Sequence, residues 1–314
     1  MSATEAKAWI FDIQSFSLKD GPGIRTTVFF KGCALRCQWC HNPESHVAKP
    51  QLLYRANLCV GCMRCVDACR HGAQQKVLVG SAFVHVLDRE KCVDCGECVE
   101  SCCYGALEMA GQEYTPSTLM EEIKKDLRYF SLGEKAGEGR GGLTFSGGEP
   151  LLYPDFIAEF CALAPEIHTA VETSGFADRK AFEKVLDSID LFLFDFKIAD
   201  SKEHEAWCGA GNSLIVSNLD FLHERGKEIV LRLPLIPGVN DTERHARAVA
   251  QILERHPGIK RAEILPYHTY GLGKQEELGM PPYPGVPTQA AIPSHVQAWA
   301  EELRRLAGTE VACL

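Results

Sequence analysis

The sequence has no run of about 18 apolar residues, so it offers no helix that could span a membrane. It lacks a basic excess: 33 Lys and Arg stand against 42 Asp and Glu, a net charge of −9. No basic stripe of the kind that tracks a phosphate backbone is present. The N-terminal Met-Ser-Ala-Thr-Glu-Ala-Lys has no apolar core like that of a secretory signal. These absences predict a cytoplasmic protein whose partners include neither nucleic acid nor membrane. In a reducing compartment structural disulfides are disfavoured, and the fifteen cysteines require another explanation.

Twelve of the fifteen lie between Cys33 and Cys103. Cys161, Cys208 and Cys313 stand alone and read as small packing residues. Within the dense stretch the pattern repeats. Cys59-Val-Gly-Cys62-Met-Arg-Cys65-Val-Asp-Ala-Cys69 recurs 33 residues later as Cys92-Val-Asp-Cys95-Gly-Glu-Cys98-Val-Glu-Ser-Cys102. Two copies make a small pseudo-symmetric module rather than a solenoid, with predicted limits of 48–112. The flanks, 1–47 and 113–314, form the other domain.

The flanks alternate short β-rich runs with helical patterns. Strands are predicted at Thr26–Lys31, Leu143–Ser146, His168–Thr173, Leu191–Lys197, Ile229–Pro234 and Ala262–Tyr267. Thr115-Pro116 reads as an N-cap with proline at N1, opening a helix to about Tyr129. Further helices are predicted near 154–163, 179–188, 214–225, 242–255 and 295–306. Six strand–helix units imply a parallel α/β architecture, either a partial barrel or a doubly wound sheet. In both, ligands bind beyond the C-terminal strand ends. Chemically capable residues lie at or just beyond the end of each predicted strand: Cys33, then Gly147-Gly148-Glu149, Thr173, Asp195 with Lys197, Arg232 and His268.

Cys33, Cys37 and Cys40 offer three thiolates within eight residues. Three thiolates can cap three irons of a cubane and leave the fourth iron open. The alternative is zinc, with His41 as a fourth ligand. The two longer runs follow C-x2-C-x2-C-x3-C, the spacing of two-cluster bacterial ferredoxins, in which the fourth cysteine of each run serves the other cluster. This assigns Cys59, Cys62, Cys65 and Cys102 to one [4Fe–4S] cluster, and Cys92, Cys95, Cys98 and Cys69 to another. Such closed clusters suit electron transfer.

The triad spacing resembles the radical S-adenosylmethionine (SAM) signature. Several further segments extend the likeness: Asp20-Gly-Pro-Gly-Ile-Arg25, His41-Asn-Pro-Glu44, Thr144-Phe-Ser-Gly-Gly-Glu-Pro150, Asp195-Phe-Lys197, the run Arg232 to Asp241, and Leu265-Pro-Tyr-His268. With these, the chain resembles the glycyl radical enzyme activating enzymes, in the subset with a ferredoxin-like insert. The resemblance implies a partial (β/α)6 TIM-type barrel with two auxiliary [4Fe–4S] clusters in the insert. It implies reductive cleavage of SAM to a 5′-deoxyadenosyl radical that takes hydrogen from a glycine Cα of a partner enzyme. A reducing donor such as flavodoxin or ferredoxin is implied as a second partner.

It also implies roles for residues. Gly147 and Gly148 let backbone approach the cofactor, and Glu149 accepts from the methionine ammonium. Asp195, Lys197 and Thr173 stand near the cofactor carboxylate and a monovalent cation. Glu172 occupies a position where the family often has Asp. Arg232 and His268 contact the cofactor, and Trp39 shields the cluster or touches adenine. The plainer alternatives are a glycine turn, a capped strand end, an ion pair and a packed core histidine.

The segment Gly133–Gly142 holds five glycines; it is read as a flexible cover over the active-site mouth that orders when the partner's glycine loop enters. Two rival functions remain at this stage. One is a ferredoxin-type electron carrier, which leaves the triad unused. The other is radical chemistry on a small molecule.

Overall fold

A computed structural model of the chain describes residues 5–132 and 139–314. Residues 133–138, most of the expected cover, lie outside the described residues.

Among the described residues the strands are, in chain order, β1 (Ala8–Ser17), β2 (Arg25–Phe30), β3 (Gln51–Tyr54), β4 (Gln74–Val79), β5 (Ala82–Leu87), β6 (Leu107–Ala110), β7 (Gln112–Tyr114), β8 (Gly142–Gly147), β9 (His168–Thr173), β10 (Leu191–Asp195), β11 (Glu228–Leu235), β12 (Arg261–Pro266) and β13 (Glu310–Cys313). Nine form one mixed sheet in the order β13-β12-β11-β10-β9-β8-β2-β1-β7. From β2 through β13 the neighbours are parallel. All six predicted strands are present, and they sit in chain order without reversal. A doubly wound sheet reverses at a switch point; this one does not, and its winding in a single direction is that of a barrel.

The central strands are buried on both faces, which suits the apolar run Leu191–Phe194 of β10; β2 and β8 also bury Arg25, Thr26, Thr27, Thr144 and Ser146. One large core joins Val28, Phe30, Phe145, Phe156, Phe192, Phe194 and Leu231 to the helices. Three strands of the sheet were not predicted. β7 and β13 are only three and four residues long. β1 lies antiparallel to β2 and alternates buried with partly exposed residues.

The helix after Thr115 carries the expected cap: Thr115 and Thr118 form a reciprocal capping box with Pro116 at N1. It stops at Ile123 rather than Tyr129. Just beyond it the buried Asp126 carboxylate turns inward to accept from Ser15 Oγ at 2.6 Å and Thr26 Oγ1 at 2.9 Å. In the flanking domain two helices, Ser201–Cys208 and Tyr270–Glu277, were not predicted. The first nevertheless carries readable ends, Asp200 as N-cap and Gly209 in the left-handed region.

Residues 48–112 leave the sheet and return to it through β7. Inside this segment β3 pairs antiparallel with β6, and β4 with β5. A short helix carries the third cysteine of each run: Arg64–Ala68 holds Cys65 and Glu97–Glu100 holds Cys98.

Candidate active site

The C-terminal ends of five parallel strands converge on one hollow. It is lined by Cys33, Cys37, Trp39, Cys40, His41, Asn42, Ser146, Gly147, Gly148, Glu172, Ser174, Asp195, Lys197, Pro234 and Leu265, among others. The sequence placed Cys33, Cys37, Cys40, Trp39, Gly147, Gly148, Asp195 and Lys197 here, and all eight line it.

The cysteine loop is pinned to the helix Ser201–Cys208 by backbone bonds on either side of Cys37: Arg36 N–H donates to Cys208 O at 2.7 Å, and Gln38 N–H to Trp207 O at 3.0 Å. Trp39 packs near Trp207, ring centroids 6.0 Å apart. The pinning brings the buried Cys208 thiol against Cys37. Its hydrogen bond, then the nearby Lys197, outweigh burial and pull the Cys37 thiol below its ordinary pKa. Burial and the neighbouring Glu149 and Cys37 push Cys33 up to about 12. Cys208 read from the sequence as a lone packing residue; nothing local signals its approach to the triad, which comes from tertiary pairing.

Lys197 Nζ lies 2.7 Å from Asp195 Oδ2, both nearly buried. Burial works against the ammonium, but Asp195 and Cys37 more than offset it and hold its pKa above the usual lysine value. The other oxygen, Asp195 Oδ1, is buried and has no partner. An unpartnered buried acceptor is costly, so a ligand donor aimed at it would be strongly favoured. Asn240 braces this corner: its amide donates to Lys197 O at 2.8 Å and to Pro234 O at 2.7 Å.

The remaining predicted residues stand behind the hollow. Arg232 is fully buried and bonds Glu172 Oε1 at 2.5 Å and Glu263 Oε2 at 3.2 Å. Burial opposes its charge, while Glu172, Glu263 and Asp20 raise its pKa further. Glu149 is also fully buried. It accepts from Thr173 Oγ1 at 2.8 Å, Ser174 N at 3.0 Å, Ser174 Oγ at 2.6 Å and Leu151 N at 3.3 Å. Thr173 Oγ1 in turn accepts from Gly175 N at 3.0 Å. His268 stacks on His41 with ring centroids 3.7 Å apart. His41 Nε2 and His268 Nδ1 are buried without partners, and burial with the neighbouring His268 lowers His41 to about 3.

The glycines serve the scaffold as well as the hollow. Gly147 has φ +110°, and a Cβ there would lie 2.3 Å from Phe30 N; at Gly148 it would lie 2.2 Å from Gly32 O. Gly148 N–H donates to Phe30 O and Glu149 N–H to Gly32 O, each at 2.8 Å. The Gly-Gly-Glu turn is thereby clamped to the strand that delivers the cysteines. Arg25, buried, bonds Thr144 Oγ1 and Leu143 O, each at 2.6 Å, and so ties β2 to β8.

Two smaller hollows lie in the segment 48–112. Cys59, Cys62, Cys65 and Cys102 line one, with Tyr54 and His85. Cys69, Cys92, Cys95 and Cys98 line the other, with Gln74. Each draws three cysteines from one run and the fourth from the other, the grouping expected from the spacing. Cys103 lines neither. Among the described residues, no three His, Cys, Asp or Glu side chains are grouped to hold a single metal ion. No described helix is long and apolar enough to cross a membrane.

The radical SAM superfamily pattern matches residues 27–248. The chain is 41% identical over 281 residues to the choline trimethylamine-lyase activating enzyme of Oleidesulfovibrio alaskensis, covering 88% of each chain. It is 42% identical over 284 residues to the indoleacetate decarboxylase activating enzyme of Tractidigestivibacter scatoligenes, covering 87% of each. A radical SAM methyltransferase from Sphaerobacter thermophilus shares the fold alone, with TM-score 0.51 and 12% identity over 97% of this chain and 76% of that one. The chain belongs to the radical SAM superfamily and, within it, to the glycyl radical enzyme activating enzymes, which cleave SAM and generate a glycyl radical.

Proposed function

We propose that the chain activates a glycyl radical enzyme by means of three [4Fe–4S] clusters, one open to SAM and two closed. The observation that carries this reading is the contrast between a three-cysteine hollow lined by charged and hydroxyl groups and two hollows with four cysteines each. Cys33, Cys37 and Cys40 would hold the open cluster. Cys59, Cys62, Cys65 and Cys102 would hold one closed cluster, and Cys92, Cys95, Cys98 and Cys69 the other, in a ferredoxin-like domain over 48–112. Cysteines set round a hollow, with no grouping fit for a single ion, suit a multi-iron body. Bound by Cys33, Cys37 and Cys40 and reduced, such a cluster would supply the one electron that lets the S–C5′ bond of SAM break into methionine and the 5′-deoxyadenosyl radical.

The chain's own residues bind and orient. Asp195 Oδ1, buried and unpartnered, is placed to accept from a ligand amine or hydroxyl. Lys197 presents a fixed positive charge toward a carboxylate. Trp39 closes the apolar side of the triad. Arg232, Glu149 and Thr173 act from behind, holding Glu172 and Ser174 in place at the rim. The monovalent cation is left out of the proposal, because its expected ligand Thr173 is taken up by Glu149 and Gly175. His268 is assigned to hold His41 against the hollow.

Relatives named for choline and indoleacetate enzymes match almost equally, so the partner is proposed as a glycyl radical enzyme without a finer choice. The test is anaerobic reconstitution with iron and sulfide, reduction, and addition of SAM with candidate partners. The expected result is 5′-deoxyadenosine by mass spectrometry and a glycyl radical signal on one partner. A fully clustered protein that makes neither would overturn the reading.

A further inference from the structure

The two halves of the segment 48–112 follow one backbone plan. A shift of 33 residues takes Gln51 to Val84, Leu53 to Val86, Gln75 to Glu108 and Val77 to Ala110. The left-handed positions repeat with it: Gly61 at φ 69° and Asp94 at 57°, Met63 at 63° and Gly96 at 80°, Gly72 at 65° and Gly105 at 66°. The pairing repeats too. Gln51 faces Ala110 and Leu53 faces Glu108 in one ribbon; Val84 faces Val77 and Val86 faces Gln75 in the other. Cross-strand partners share a face, so each ribbon has one face toward the cysteines and one outer face; on β4–β5 the first is covered only at Gln74 and His85, while Leu78 and Phe83 beyond them are 59 and 55% exposed at the ribbon's tip.

The outer faces are equivalent by this internal symmetry but differ in their cover. On β3–β6, Leu53 and Ala110 pack under Leu278 and Met280 of the barrel, and Gln51 accepts from Lys31 Nζ at 3.4 Å. On β4–β5, Val77, Val84, Val86 and Val79 are 36, 38, 39 and 59% exposed. A contiguous apolar strip of this kind marks an interaction site.

We propose that the outer valine face of β4–β5 is the docking surface for the low-potential one-electron carrier protein that supplies the chain. This rests on the reading that 48–112 holds two closed clusters. Size argues for that occupant. Two six-residue strands present a face about 20 Å long, far smaller than the roughly 800 Å² per partner of a stable interface, whereas electron-transfer encounters lie at the small end. A second copy has no matching cover to offer, since Leu278 and Met280 of each copy already lie on its own β3–β6. Position argues for it as well. The inner side of the same ribbon lines both four-cysteine hollows, through His85 in one and Gln74 in the other, and Gln74 Nε2 donates to Cys98 Sγ at 3.2 Å. A carrier seated on the valines is one ribbon away from both cysteine sets. The face carries no charge among Gln75, Val77, Val79, Ala82, Val84 and Val86, so docking should depend little on salt.

The test uses the reconstituted holoenzyme and its Val77→Lys/Val84→Lys variant, with Val79→Lys at the ribbon tip as a milder companion. Cluster reduction is followed by stopped flow, with reduced flavodoxin as the protein donor and dithionite as a donor that needs no docking. The expected result is a fall of at least about tenfold with limiting flavodoxin, with dithionite reduction, iron content and cluster EPR unchanged. Equal rates with flavodoxin would overturn the proposal. So would slowing with dithionite as well, which makes the face structural. Unchanged reduction with loss of glycyl radical formation would give the face to the glycyl radical enzyme. A wild-type dimer abolished by the lysines would give it to a second copy. Iron for one cluster per chain would sink the two-cluster reading itself, a result visible before any donor is added.

Discussion

The cysteines of the barrel and those of the segment 48–112 are set in opposite surroundings. Cys33, Cys37 and Cys40 come from one loop and share their hollow with Asp195, Lys197 and Glu172, with Arg232 and Glu263 close behind. Each hollow of the segment gathers cysteines from two runs, and its other lining is mostly apolar or neutral, such as Tyr54, Met63 and Leu107 or Leu52, Ala73 and Gln74. A zwitterionic ligand needs fixed charges to orient it, and burying those charges is tolerable only when they are paired. A site that passes only electrons needs a closed ligand set. The difference in charge therefore repeats the difference in cysteine count.

The largest test of that comparison removes one thiol from each kind of site. Cys37→Ala should abolish 5′-deoxyadenosine formation while iron content falls by about a third, one cluster of three. Cys65→Ala should lose a similar share of iron yet retain SAM cleavage under dithionite. Iron analysis beside product quantification checks both; loss of cleavage in both variants would erase the distinction.

Next in size is Lys197→Met. Removing one partner of a buried pair strands the other charge, so a loss of about 3–5 kcal/mol of stability is expected, together with weaker SAM binding. Anaerobic denaturant titration and equilibrium binding read these out. Gly148→Ala follows: the added Cβ would meet Gly32 O, displacing the turn that clamps the cysteine loop, and SAM affinity should drop while the segment 48–112 keeps its clusters.

The smallest effect concerns acid. Burial lowers His245 and His46 to about 4 and His41 to about 3. As pH falls through the ordinary histidine value near 6.5, the unfolded chain takes up protons that the folded chain refuses. The stability that these residues contribute is full above that value and is lost progressively down to about 4 for His245 and His46 and about 3 for His41. His245→Phe, far from the cysteines, should flatten part of that slope; melting at pH 7 and pH 5 measures the change.

Much of this was legible in the residues. The six parallel strands were read correctly, and the capable residues sit near their C-terminal ends, because strand composition and the residues at strand ends are both local. The cross-run grouping of Cys69 and Cys102 was readable from spacing. What escaped needed tertiary context. β13 and β7 are too short to show a period. Cys208 meets Cys37 only through pairing across 171 positions of chain. Gly147 and Gly148 were read as room for a cofactor, yet they also answer to Phe30 and Gly32. Glu149 and Arg232 were expected at the ligand; neither lines the hollow, and each is bonded to residues that do.

The most direct test of the open-and-closed account is electron–nuclear double resonance on the reduced holoenzyme with SAM carrying ¹³C and ¹⁷O in its methionine carboxylate. The account predicts label coupling to one cluster, lost in Cys37→Ala and kept in Cys65→Ala. Coupling that survives in Cys37→Ala, or that is absent from the wild type, would contradict it.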